Sequence, residues 1–573
     1  MTPDKFAAAY GPTADDVRQV ADHLIAHGLT VTSISHNRTL LDATGPVRAI
    51  EAAFGVTISD WHDPDLKRDF FGNDAQPSLP AAIAPLVVGV FGLNNHYSFH
   101  HAVVRPPSLS PRVPPGSGPA GGYTPSNLKT AYGVDSLATS GVTGSGQGIG
   151  LFELDGFNQA NITKYDMQYG LILTPPAVQI VDGGPVPPLG QGQIEVELDI
   201  EVLHAFAPGA AITAFEAPNS DIGALDAFTA MVTANLGSNS TSWGSCEPQT
   251  SGAFMDSLHQ TLQQAAAQGQ SFFAASGDFG AFDCAGSPQP STGLAVDNPA
   301  NDPMMTGVGG TRLVLNANFT YSSESAWSNP SATPPRGTGG GLSEHFARPS
   351  WQAGPGVANS SSNGNRQVPD VALDADPATG YSVCVTTCWN SPTGQGWVVI
   401  GGTSPAAPSW AAFTALYNQY AAGGNLPKLG FANPTLYSLG SNPQLALPFH
   451  DVITGNNLNY NATVSWDYPT GWGTPQVSSL ITDIVQQTAS LWVRRAAGAS
   501  AGGTPAAPPR QWFGAPAVQF PSTAGRSSIA PPSLAANSSS PAPRAGEERV
   551  GATWAARFMP DAIARLTGWL SSW

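Results

Sequence analysis

Charge is scarce in this chain: Asp, Glu, Lys and Arg together make up 11% of its 573 residues, and only five residues are lysine. With a formal net charge of −17, no basic patch can be traced, which excludes nucleic acid as a partner. The shortage of lysine suits acid instead. As pH falls and carboxylates neutralise, a chain poor in ammonium groups avoids a large positive self-repulsion. Cysteine is scarce too, with four residues that form neither a CxxC pair nor a Cys/His zinc spacing. Cys246 with Cys284, and Cys384 with Cys388, are the natural disulfide pairings in an oxidising compartment. No run of about eighteen apolar residues exists, so no transmembrane segment is expected. The opening Met1-Thr-Pro-Asp-Lys5 has no apolar stretch of the signal-peptide kind, so export would use an element not visible in this sequence.

Apolar residues are plentiful at 41%, enough for a real core, and the length leaves room for two to four ordinary domains or for one large catalytic domain with smaller attachments. Residues 1–104 read as a small α+β, ferredoxin-like unit. Asp15 to His27 and Pro46 to Phe54 have helical character, while Leu29 to Ser35 and Thr39 to Ala43 are strand-like. Residues 105–121 (RPPSLSPRVPPGSGPAG) are too rich in Pro and Gly for regular structure and form a protease-sensitive linker. Residues 122–487 alternate strand-like runs (Gly148 to Leu154, Ile212 to Phe215, Ser271 to Ala275, Trp397 to Ile400) with helical stretches, the pattern of an α/β domain built on a mostly parallel sheet flanked by helices. Residues 488–573 turn to Pro, Ala, Ser and Gly and are expected to be a disordered tail, with Asp561 to Trp573 as a helical end. This tail carries eight Arg against three acids, or +5, which leaves −22 on the rest.

One serine stands out. In Gly401-Gly402-Thr403-Ser404-Pro405-Ala406 a tight glycine turn precedes a helical stretch, and proline fits the first helical position. Such a serine is either a plain helix cap or a nucleophile held at a helix N-terminus. It does not sit in a GxSxG elbow, and the chain has no HGTH-type histidine segment. A base must be sought elsewhere. Gln193-Ile-Glu195-Val-Glu197-Leu-Asp199-Ile-Glu201 packs four acids into seven residues. Strict alternation reads as a strand with a solvated acidic edge; read as a helix, Glu195 and Asp199 are i,i+4 neighbours, and their proximity would raise one pKa. His204 lies among apolar residues, the usual setting of a structural histidine. Asp278, in Ser276-Gly-Asp278-Phe-Gly280 after an apolar strand, is either a turn former or a group at a strand end where catalytic residues collect. Gly144 to Gly150 mimics a phosphate loop, but a strand follows it where a helix N-terminus is required. Asn161 and Asn239 head short glycosylation sequons.

Taken together these phrases resemble the sedolisin (serine-carboxyl peptidase) family, in its kumamolisin-like branch. The resemblance rests on EVELDIEV with APGA, Ser242-Trp243-Gly244, SGDFG, NPANDPMMTGVGGT, GGGLSEHF, VPDVALDADPATGY and GGTSPAAP, in order, and on YGPTADDV, AAFGV and LNN in the N-terminal unit. It covers about residues 2–487. It implies a subtilisin-like fold and an acid-active endopeptidase made as a secreted zymogen, acting on protein or peptide substrates with its own prodomain as intramolecular inhibitor. In that reading Ser404 is the nucleophile, Glu195 its base, Asp199 the residue that holds Glu195, and protonated Asp278 the donor to the oxyanion, while Ser242, Trp243 and Gly244 line the substrate cleft. The resemblance also implies one calcium ion, on Asp451, Val452, Thr463, Ser465 and Asp467, with two family glycines replaced by Thr463 and Ser465. Two departures concern processing: the family's first prodomain strand is expected to be missing here, and the basic tail is not part of the pattern. The rivals are a neutral subtilisin-like peptidase using Asp155, His204 and Ser404, and an inactive homologue that serves as a binding module.

Overall fold

The computed structural model describes residues 1–499 and 552–558, apart from residues 65–66, 97, 102–103, 105–117, 120, 188, 288–289, 386–395 and 443–447. The cleavage linker expected at 105–121 and the helical end expected at 561–573 therefore lie mostly or wholly outside the described residues.

The chain opens with helix α1 (Pro3–Tyr10), started by Thr2, whose hydroxyl accepts from the Lys5 N–H. Helix α2 (Ala14–Ala26) begins on a reciprocal cap: the Thr13 hydroxyl accepts from Asp16 N–H while the Asp16 carboxylate accepts from Thr13 N–H. It buries Val17, Val20 and Leu24. Strands β1 (Thr30–Ile34) and β2 (Leu40–Gly45) pair antiparallel, and α3 (Val47–Phe54) stops on Gly55 at a left-handed φ of 63°. A second antiparallel pair, β3 (Ile58–Asp63) and β4 (Arg68–Asn73), precedes β5 (Val87–Phe91) and the short β6 (His100–His101).

The second domain is built on eight strands. Strands β7 (Gly148–Glu153), β8 (Ala177–Ile180), β9 (Ala211–Glu216), β10 (Ser238–Thr241), β12 (Ser271–Ala275) and β14 (Thr306–Leu315) run parallel in the order β14-β12-β10-β7-β9-β8. Strand β15 (Tyr321–Ala326) joins β14 antiparallel, and β16 (Val371–Asp374) joins it parallel. Between them lie β11 (Trp243–Cys246) and β13 (Asp297–Asn298), which form a small sheet with β6. Helices α4 (Gln193–Phe206), α5 (Asp221–Ala234), α6 (Gly252–Gln268), α7 (Ala406–Gly423) and α8 (Val477–Ala499) accompany the sheet. The parallel sheet is sandwiched because its strands are apolar on both faces: Leu151 and Phe152 face different core clusters, and both are fully buried.

Helix α4 settles the acidic segment. Every residue of it is buried, so its acids are not a solvated edge, and the alternating pattern marks no exposed face at all. It packs on α7, where Phe206 meets Phe413 edge-on with ring centroids 4.9 Å apart. Trp397 to Ile400 is a strand as expected, but it pairs antiparallel with Tyr381–Cys384 in a separate ribbon outside the large sheet.

Cys246 and Cys284 form a disulfide. Cys384 is a buried free thiol whose pKa burial pushes up to about 12, and the partner expected for it, Cys388, lies outside the described residues. Both sequon asparagines are buried, Asn161 donating its amide to Glu197, which leaves neither open to a glycan in the folded state.

The tail departs from expectation. Helix α8 runs past residue 487 to Ala499, since Thr488 to Ala497 holds no glycine or proline to break it. A last strand, Ala552–Phe558, here β17, returns to the N-terminal domain and pairs antiparallel with β2 on one side and β5 on the other. No helix among the described residues is long and apolar enough to cross a membrane.

Candidate active site

Ser404 stands where the turn after Trp397–Ile400 enters α7, directly before Pro405. Gly402 makes that turn at φ 104°, a conformation side chains rarely take. Ser404 is fully buried, and its Oγ completes no hydrogen bond. Across from it, α4 supplies Glu195 and, one turn on, Asp199, both with no exposed surface. Burial holds Glu195 well above the usual carboxylate range, the Asp199 charge adds to that, and nearby Ser404 pulls the other way. Burial likewise holds Asp199 high, opposed by the Ser242 hydroxyl, which donates to its Oδ1 at 2.9 Å. The Ser242 Oγ also lies 3.1 Å from the Ser404 carbonyl oxygen, tying the acids to the serine turn.

Asp278 follows β12. Its Oδ1 accepts from Thr403 N–H at 2.7 Å and from the Thr403 hydroxyl at 3.0 Å, while Oδ2 is buried without a partner. Burial pushes its pKa up to about 7, against the Thr403 N–H bond and the Arg336 charge. Below that pH the orphaned oxygen carries a proton it can donate. Strand β11 places Trp243 and Gly244 beside these groups. Gly244 is required there, because a Cβ would come 1.9 Å from Asp297 Oδ1.

The structure thus brings Ser404, Glu195, Asp199, Asp278 and Ser242 to one place. It does not assemble the rival set. The His204 ring is held by Asp166 at 2.8 Å, nine residues along α4 from Glu195, a rise of about 13 Å, and Asp155 accepts from Gly156 and Gly190 N–H groups. Three further acids were not singled out in advance. Glu153 ends β7, is held well above its usual range by burial and then by Asp199, and accepts from the Trp243 indole at 2.9 Å. Its place at a parallel strand's C-terminal end was the available signal. Asp283 and Asp297 lie close together, and burial raises both, Asp283 to about 7, with the Asp283 charge adding to the shift of Asp297.

The cleft is filled by the chain itself. Strand β6 pairs antiparallel with β11, Trp243 opposite His101 and Gly244 opposite His100, and Val104 exchanges backbone hydrogen bonds of 2.9 and 2.8 Å with Gly401. His101 Nδ1 stands 3.5 Å from Glu195 Oε2. Beside this segment is a cavity of about 470 Å³ lined by Phe99, Leu154, Gln191, Trp243, Phe279 and Arg336 among others.

Of the residues expected to bind calcium, Asp451 Oδ2 accepts from Ser465 N–H at 2.8 Å, and Asp467 accepts from Thr463 N–H, Thr470 N–H and the Thr470 hydroxyl. Ser465 takes a left-handed φ of 67°, a conformation that favours glycine and that serine holds here at some cost. Burial raises Asp467 well above its usual range, and the charge of Asp451 adds to it. Two carboxylates together with backbone carbonyls form an all-oxygen donor set that fits a hard cation.

Residues 1–96 match the family model described as "Pro-kumamolisin, activation domain", and residues 204–429 match that of the subtilase family. Kumamolisin of Bacillus sp. (strain MN-32) is 37% identical over 499 residues, covering 82% of this chain and 83% of the relative. The chain belongs to the sedolisin family. Sedolisin of Pseudomonas sp. (strain 101) is 30% identical over 496 residues, covering 83% and 80%. The solved Pseudomonas sedolisin (serine-carboxyl proteinase), complexed with two molecules of pseudo-iodotyrostatin, superposes with a TM-score of 0.56 at 29% identity, covering 64% of this chain and 99% of that one. The protein is a serine-carboxyl peptidase of the sedolisin type, its fold is subtilisin-like, and its N-terminal domain is the prodomain that inhibits it in cis.

For this sedolisin the buried acids set a stability profile. A folded-state pKa above the unfolded one means that stability is full below the unfolded pKa and lost as pH rises through the folded value. For Asp278 that window runs from 3.8 to about 7, a change of about 4 kcal/mol for this group alone. The Ser404→Ala zymogen, which cannot digest itself, should therefore resist urea better at pH 4 than at pH 7.5; equal midpoints would mean that these acids keep ordinary pKa values.

Proposed function

We propose that this sedolisin is an acid-active endopeptidase, made as a secreted zymogen, that hydrolyses protein or peptide substrates through an acyl-enzyme on Ser404. The observation that carries this reading is the set of buried, proton-holding carboxylates around Ser404, where the imidazole facing Glu195 is His101 of the chain's own inhibitory segment. In the first step the Ser404 oxygen attacks the scissile carbonyl while Glu195 takes its proton, and Asp199 holds Glu195 in place. The resulting oxyanion receives a hydrogen bond from protonated Asp278. Glu195 then returns the proton to the leaving amine, and the amine departs. Water, deprotonated by Glu195, attacks the ester, and the acid product leaves as Ser404 recovers its proton. The substrate backbone adds as a strand to Trp243 and Gly244, where β6 lies in the zymogen.

A carboxylate base works where imidazole would be fully protonated, and a neutral Asp278 exists only below about pH 7. Cleavage of denatured haemoglobin or a quenched peptide by acid-matured protein should therefore peak below pH 5 and be nearly absent at pH 8. A maximum near neutrality would sink the proposal in favour of a histidine base. Secretion is supported by the Cys246–Cys284 disulfide, which persists in oxidising surroundings.

Asp451, Val452, Thr463, Ser465 and Asp467 would hold one calcium ion, which on binding neutralises the two facing carboxylates and clamps the loop between them. Calcium at a hundredfold excess over its Kd stabilises by about 2.7 kcal/mol, so chelation should lower Tm by about 3 °C. Asp451→Asn should remove this response, and a Tm indifferent to chelator in the unmutated protein would exclude the site.

A further inference from the structure

Strand β17 is not a loose addition to the prodomain. Its residues stand opposite β2 from Leu40 with Arg557 to Gly45 with Ala552, and opposite β5 at Phe91 with Ala555, Val90 with Ala556, Gly89 with Arg557 and Val87 with Phe558. Among the described residues β2 and β5 do not pair with each other, and β5 has no other strand beside it. Two strand spacings, about 9.6 Å, therefore separate them, and only the C-terminal strand satisfies the facing backbone groups. Strand β5 is also one of the prodomain's contacts with the catalytic domain, beside Asn37, whose amide donates to Gln264. Phe91 meets Phe254 of α6 with ring centroids 6.4 Å apart, and a Cβ on Gly89 would come 3.0 Å from the Ala253 Cβ. Nine residues after Phe91 the chain enters the cleft as β6.

We propose that Ala552–Phe558, donated in cis, is a working strand of the inhibitory domain, so that the C-terminal tail maintains latency. With β17 withdrawn, β2 and β5 present open edges too far apart to pair. Closing the gap would pull β5 off α6 and loosen the hold on His100 and His101 in the cleft. Charge favours this occupant, since the +5 tail returns to a body of −22. Reach sets no limit, because the 52 residues between Ala499 and Ala552 can span at most about 170 Å. The inhibitory unit is thus assembled from both ends of the chain, and a cut between them frees the tail strand to leave.

The test uses the full-length zymogen. Thr44→Cys with Thr553→Cys, placed opposite each other by the register, should oxidise at neutral pH to a disulfide within one monomer, whereas Thr44→Cys with Ser539→Cys should not. In the otherwise unaltered protein, Ala555→Pro with Ala556→Pro removes ladder N–H groups and should raise activity at pH 6 before acid treatment by on the order of tenfold, as about 1.4 kcal/mol of weaker docking implies. Prolines at Ser527 and Ala530 should leave latency unchanged. Hydrogen exchange of the double proline variant in a Ser404→Ala background reads the same effect when the active form digests itself: β2 and β5 amides should lose protection. Failure of the disulfide to form, its appearance only between two molecules, or full latency and full β5 protection in the proline variant would each overturn the proposal.

Discussion

Replacing Ser404 by alanine, or Glu195 by glutamine, should abolish peptide cleavage at pH 4, each with a loss on the order of 10⁴-fold or more. Alanine removes the nucleophilic oxygen. Glutamine keeps the shape of Glu195 and its burial but cannot take the serine proton, so the two changes strike the same step. The double variant should for that reason be no worse than either single one, because groups that act as a unit are strongly non-additive. His204→Gln is the discriminating control. It breaks a buried pair with Asp166 and should lower stability by a few kcal/mol, while the folded fraction keeps its specific activity. Turnover surviving Glu195→Gln but lost in His204→Gln, measured on quenched peptide after acid maturation, would overturn the carboxylate mechanism.

How far the site was legible depended on whether its signal was local. Ser404 announces itself through Gly402 and Pro405, a turn and a helix start whose conformational demands are met by adjacent residues. Glu195 and Asp199 were harder, because alternation of acids and aliphatics is what a half-buried strand shows. Helix α4 is buried on all sides, so it has no polar face to give it a helical period, and the family resemblance rather than periodicity pointed to the pair. Glu153 could not be found by spacing, since its partner Trp243 lies 90 residues away, on a strand of a different sheet that the fold brings to the end of β7. The same holds for β17. A short run in a Pro- and Ala-rich tail has little strand signal of its own; its partners are β2 and β5, far earlier in the chain, so only the three-dimensional pairing reveals it.

Asp278→Asn offers the sharpest view of the oxyanion donor. In the parent, Oδ1 is occupied by Thr403, and the partnerless Oδ2 donates only while protonated, which burial extends up to about pH 7. An asparagine can keep the Thr403 bonds through its Oδ1 and place a non-titrating N–H₂ where the carboxylic O–H was. Asp278→Ala, with no donor, should lose roughly a hundred- to a thousandfold in kcat at pH 4 with a smaller change in KM, because the bond is made to the developing oxyanion rather than to the bound substrate. Asp278→Asn should recover part of that rate. Its alkaline limb should also move upward: the donor no longer titrates, while Glu195, which must be ionised to accept the serine proton, gains as pH rises. The ratio of kcat at pH 7 to kcat at pH 4 should therefore be larger in Asp278→Asn than in the parent. An unchanged ratio with full activity in both variants would remove Asp278 from the reaction and leave it a support for the Thr403 turn.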